Sequence, residues 1–80
     1  MPPVIYRNIE ITIPDAVVSR QVQEKLFSVG FNWSVGSNRV YEDAHVIYTN
    51  NRLMMTEDML TDVTRRFVRR SVPYEYVISL

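Results

Sequence analysis

The sequence predicts one α+β domain over residues 1–80, a mainly antiparallel sheet of four to five strands with two helices in the order β-α-β-β-β-α-β. Three observations lead there. Val18, Val22, Leu26 and Val29 recur at spacings of four, four and three, which is one face of a helix. Ile9, Ile11 and Ile13 alternate with polar residues, which is a strand with one dry face. Residues 45–49 (HVIYT) and 52–55 (RLMM) flank Asn50-Asn51, which reads as a hairpin whose asparagines can adopt positive φ.

In chain order, Pro2 and Pro3 give an extended lead-in to a first strand over residues 4–13. A helix follows over residues 15–29. Asp15 suits its start, because a carboxylate accepts from the first free backbone N–H groups and faces the positive end of the dipole. Gly30 suits its exit, where a left-handed residue without a Cβ is wanted. Residues 31–35 form a second strand with Phe31 and Trp33 on one face, as core anchors. Gly36-Ser37-Asn38 is a turn, and residues 39–41 begin a further strand. Residues 45–49 are the central strand. Thr56 caps a second helix whose stripe is Met59, Leu60, Val63 and Phe67, although Thr61, Val63, Thr64 and Val68 are β-branched. Pro73 ends it, and residues 74–78 (YEYVI) form the last strand.

Nine basic residues balance nine acidic ones, so no net field drives the chain onto DNA or an anionic membrane. Absence of cysteine removes disulfides and thiolate metal sites. An apolar content of 46% suits a folded domain. No apolar run approaches the ~18 residues of a membrane span. The leading residues MPPVIYRNIE lack the regions of a secretory signal. A cytoplasmic protein with no membrane partner is expected.

Chemistry is scarce. His45 is the one histidine and sits in a predicted strand, where a structural role is expected. A Cys-His pair and a zinc site on two or more His or Cys ligands are excluded. Glu42-Asp43 and Glu57-Asp58 are sequence neighbours that diverge in space, and read as solvated loop and helix-start residues. Gly30 and Gly36 are isolated, so no phosphate-binding glycine loop exists. The expectation is a protein with no enzymatic activity, catalytic residue, metal or cofactor.

The one local excess is cationic. Eight of the nine cations are arginine, and Arg65, Arg66, Arg69 and Arg70 lie within six residues. On a helix, Arg65 with Arg69 and Arg66 with Arg70 form two pairs suited to bidentate phosphate or carboxylate recognition. They equally suit the helix dipole and pairing with Asp58 and Asp62. Tyr74 and Tyr76 fall on one side of the predicted last strand, and cations beside aromatics can hold RNA or a nucleotide. Met54, Met55 and Met59 group near the second helix, as gap-filling core or an adaptable surface. The apolar end, Val77-Ile78-Ser79-Leu80, together with the first strand, suggests edge pairing into a homo-oligomer.

The run Leu26-Phe27-Ser28-Val29-Gly30-Phe31-Asn32-Trp33, then a Gly-containing turn and Val46-Ile47-Tyr48, resembles small accessory proteins of T-even-type tailed phages. In these a helix ends in Leu-Phe-x-x-Gly-aromatic-x-Trp and a meander follows. The likeness covers roughly the middle half of the chain and leaves out the Arg-rich segment. It implies a non-enzymatic protein of the host cytoplasm that binds and inhibits or redirects a host protein or protein–RNA complex, often of a defence system. The other expectation is RNA or nucleotide binding through the arginines.

Overall fold

In the computed structural model, which describes residues 2–79, the amphipathic stretch forms helix α1 (Ala16–Ser28). Asp15 Oδ1 accepts from the Val18 N–H at 2.9 Å. Gly30 takes φ +110°, and Phe31 N–H bonds back to Leu26 C=O at 3.0 Å, so the chain reverses on the glycine. Val18, Val22 and Leu26 face inward, as their spacing requires.

The strands are β1 (Ile9–Thr12), β2 (Asn32–Trp33), β3 (Val46–Thr49), β4 (Leu53–Met55) and β5 (Arg70–Val72), in the spatial order β2-β4-β3-β1-β5. β3 is the central strand, as the sequence indicates. Ile9, Ile11, Ile47 and Thr49 turn to the α1 side, where they meet Val22, Leu26, Trp33 and Met54, all fully buried. Trp33 Nε1–H donates to Arg39 C=O at 2.6 Å, and its ring stands edge-on to Phe27 and Tyr41.

The sheet is mixed, which corrects the mainly antiparallel expectation. β1 with β3 and β3 with β4 are antiparallel, whereas β1 with β5 and β2 with β4 are parallel. A period of two fixes which face of a strand is buried and says nothing about its neighbour's direction.

There are three α-helices among the described residues instead of two, because the C-terminal third is partitioned differently. The long second helix does not form. Glu57–Met59 is a single 3-10 turn, Leu60 is extended at ψ 133°, and α2 spans only Asp62–Arg65. Thr61 restarts the chain: its Oγ1 accepts from Thr64 N–H at 3.1 Å while Thr64 Oγ1 accepts from Thr61 N–H at 2.6 Å. Val63 and Phe67, expected on a buried stripe, are 64% and 44% exposed, so no apolar face drives propagation.

The last strand lies at residues 70–72, and residues 74–78 form helix α3 (Tyr74–Ile78). Pro73 lacks the N–H needed to extend the ladder. Tyr74, Val77 and Ile78 have helical spacing, and Val77 is buried where α3 packs on α1. Helix α3 thus tucks in the apolar C-terminal run that was expected at a sheet edge; Leu80 lies outside the described residues. β1 is interior, so the sheet edges are β2 and β5.

Smaller corrections follow local hydrogen bonds. Val4–Tyr6 is a 3-10 turn and not part of β1. The second strand is cut to Asn32–Trp33 by a turn in which Gly36 N–H returns to Trp33 C=O. No strand forms at residues 39–41, because Gln23 holds Tyr41 from α1. His45 is exposed and precedes β3. In the hairpin, Asn50 Oδ1 accepts from Arg52 and Leu53 N–H, and the positive φ expected of its asparagines falls instead on Asn8 (φ 56°). No helix of the described residues is long and apolar enough to cross a membrane.

Candidate functional site

The four clustered arginines do not share one helix. Arg65, at the end of α2, places Nη1 2.9 Å from Glu57 Oε1. Arg66 is exposed, and its side chain makes no hydrogen bond or ion pair among the described residues. Arg69 folds back over the sheet. Its guanidinium lies 5.3 Å above the Tyr48 ring and 5.9 Å from the Phe67 ring, and its Nε–H donates to Thr49 C=O at 3.1 Å. Burial lowers the Arg69 pKa from its ordinary value, against the pull of Tyr48 and Glu10, and its buried Nη2 lacks a hydrogen-bond partner. Arg70 begins β5, donates to Ile5 C=O at 3.2 Å and lies 5.8 Å from the Tyr76 ring.

Arg70 and Tyr76 are therefore brought together, and Tyr76 O–H also donates to Ile5 C=O at 2.8 Å. Tyr74 is not part of this group. Two residues apart on a helix they point about 200° apart, although both pack partly on the core.

On the sheet face opposite α1, Tyr48 O–H donates to Glu57 Oε2 at 2.7 Å. That bond, then burial and the charges of Glu57 and Glu10, push the Tyr48 pKa up to about 12. The same bond, then Arg65, holds the Glu57 carboxyl below its usual range. Among the described residues no three His, Asp or Glu side chains gather at metal-binding spacing.

The sheet's two ends differ. At the end formed by the β3–β4 turn, the start of β1 and the approach to β5, two grooves share Asn8, Asn51 and Val68. Asn8 Nδ2–H donates to Asn51 Oδ1 at 3.2 Å and so floors both. Apolar side chains stand open to water: Val4 70%, Ile5 45%, Phe67 44% and Val68 91% exposed. Arg7, Arg52 and Arg70 line the same grooves, and no described Asp or Glu does.

At the other end, before β3 and after β4, a groove is lined by Tyr41, Ala44, Val46 and Met59 with Asp43, Glu57, Asp58, Thr56 and His45, and by no described Lys or Arg. The sequence marked Arg70 at the basic end but missed Val4, Ile5, Arg52 and Val68. The available signal was the pair Phe67-Val68 set among arginines. The expected helical stripe absorbed Phe67, Val68 counted only as a β-branched residue of that helix, and without the helix both are exposed.

No family model, curated protein or solved structure matches the chain.

Proposed function

We propose that this chain is a non-enzymatic, phage-type accessory protein that binds a host protein or protein–RNA complex and blocks or redirects it. The single observation that carries the reading is the basic, apolar end. A small domain leaves Val68 91% exposed beside exposed Val4, Ile5 and Phe67, in two grooves lined by arginines and by no described Asp or Glu. Contiguous apolar side chains with a polar rim are the usual make-up of a protein-recognition surface. The resemblance to phage accessory proteins supports the host setting.

The test is comparative capture from a bacterial host lysate, with tagged wild type beside Val68→Asp. One host protein or complex is expected on wild type and absent from the variant. Against the purified partner, the variant loses roughly tenfold or more in affinity, as for a lost interface anchor. Equal capture by both proteins, or none by either, overturns the reading.

RNA or nucleotide binding is the second reading, in altered form. It draws on Arg52 and Arg70, which line the grooves at this end, and on Arg66, next to Phe67 in the chain, instead of an Arg-rich helix. Among the described residues at this end Phe67 is the exposed ring, Arg69 covers part of it and Tyr76 is half-buried, so a stacking platform is meagre. This reading expects single-stranded RNA affinity to fall steeply with salt, and to vanish in Arg52→Ala with Arg66→Ala at an unchanged Tm. Salt-insensitive or absent RNA binding removes it.

A further inference from the structure

We infer that the basic, apolar end of one copy docks into the acidic end of a second copy, head to tail. The argument is complementarity between two surfaces of the same chain. Val68, 91% exposed, lines both of two grooves that carry arginine and, among the described residues, no carboxylate. The groove at the opposite end has apolar lining, Ala44, Val46 and Met59, and a rim of three carboxylates, Asp43, Glu57 and Asp58, beside His45. Arg65 neutralises Glu57 on that rim, but Asp43 and Asp58 have no side-chain hydrogen bond or ion pair among the described residues. Nor does the Arg52 side chain at the basic end. An apolar knob ringed by cations thus faces an apolar hollow ringed by anions.

β3 separates the ends, about 13 Å for four residues, so one copy cannot satisfy its own basic end. A net charge of zero leaves no overall repulsion between copies. The two surfaces differ, so the contact is heterologous and extends into a chain or closes into a ring. This docking replaces the edge pairing that the sequence suggested. It rests on the same basic end as the proposed function, so a second copy and a host target compete for it.

Sedimentation across micromolar to millimolar concentrations tests the inference. Wild type is expected above the 9.4 kDa of one chain, rising with concentration and falling in high salt. Val68→Asp disables the basic end and Asp58→Lys the acidic end. Each alone is expected to stay a single chain with an unchanged circular dichroism spectrum. Mixed, they form a 1:1 dimer and nothing larger, because one complementary pair of ends remains.

A wild type that stays at one chain throughout overturns the inference, as does a mixture that fails to dimerise. Asp58→Lys keeps the basic end and captures a host target as wild type does. A monomeric wild type whose capture is lost in Val68→Asp removes this inference and leaves the proposed function standing. Assembly with undiminished capture by Val68→Asp does the reverse.

Discussion

Gln23 joins helix α1 to a loop that has no regular structure of its own. Fully buried, it donates to Ser19 Oγ and to Tyr41 C=O and accepts from Tyr41 N–H, each at 2.7 Å. Gln23→Ala leaves the Tyr41 N–H without its partner, while Tyr41 C=O keeps Ser19 Oγ and the Ala44 N–H, and should cost about 3 kcal/mol, three bonds at roughly 1 kcal/mol each. Urea unfolding measures it, and a loss under about 1 kcal/mol rules the clamp out. Nothing in the sequence distinguishes this residue from Gln21, because a polar side chain on a helix reads as solvent-facing until the loop above it is known. Tyr48 carries a second residue-scale expectation. Its folded pKa is pushed up to about 12 from 10.0, so folding favours the neutral phenol. The stability this provides is complete below the unfolded value of 10.0, and is lost as pH rises through that value toward about 12. Stability should therefore fall more steeply above pH 10 in wild type than in Tyr48→Phe, read as the change in urea midpoint between neutral and alkaline buffer. Identical slopes in the two proteins would show that the Glu57 bond does not hold the proton.

At the scale of elements, the strongest pattern was the most faithful. Helix α1, its Asp15 cap, its Gly30 exit and the central position of β3 were all legible, because each rests on local chemistry with a single reading. Gly30 shows the logic: its φ of +110° strains any side chain, although a Cβ there would meet Pro2 no closer than 3.6 Å. Gly30→Ala should therefore cost about 1–2 kcal/mol through backbone strain alone, read as a lower urea midpoint. A neutral effect would place the helix exit elsewhere. Residues 74–78 were misread because they satisfy two periods. Tyr74, Tyr76 and Ile78 alternate, yet Tyr74, Val77 and Ile78 have helical spacing, and only packing on α1 decides. Val77→Ala tests the helical choice. With Val77 fully buried beneath α3, the truncation should cost about 2 kcal/mol. An exposed edge strand would tolerate the same change, so a shift within about 0.5 kcal/mol would detach α3 from α1.

For the whole molecule, cooperativity should be uneven. Ile9, Ile11 and Ile47 bring β1 and β3 into the centre of the core, whereas neither the Glu57–Met59 turn nor α2 contains a buried residue. Segments with little buried apolar surface open at a smaller free-energy cost than the core they lie on. The polarity of the molecule belongs to this scale too. The sequence showed a zero sum and an arginine cluster, but which charges meet at which end depends on a mixed topology that no local pattern encodes. The stretch over residues 56–69 connects the two ends. It starts beside Asp58 in the acidic groove and finishes at Phe67 and Val68 in the basic one. Native-state hydrogen exchange should therefore find Ile11 and Ile47 amides protected nearly to the global unfolding free energy, and those of residues 63–66 exchanging first. Occupancy of the basic end should slow both sets, because global unfolding releases a ligand as a local opening of this segment does, and binding to the folded state raises the free energy of every opening that lets the ligand go. Equal protection in both sets without a ligand would mean that this segment is fixed as firmly as the sheet. The exposed Val68 would then be a rigid part of the core structure, and its recognition role would need no ordering on binding.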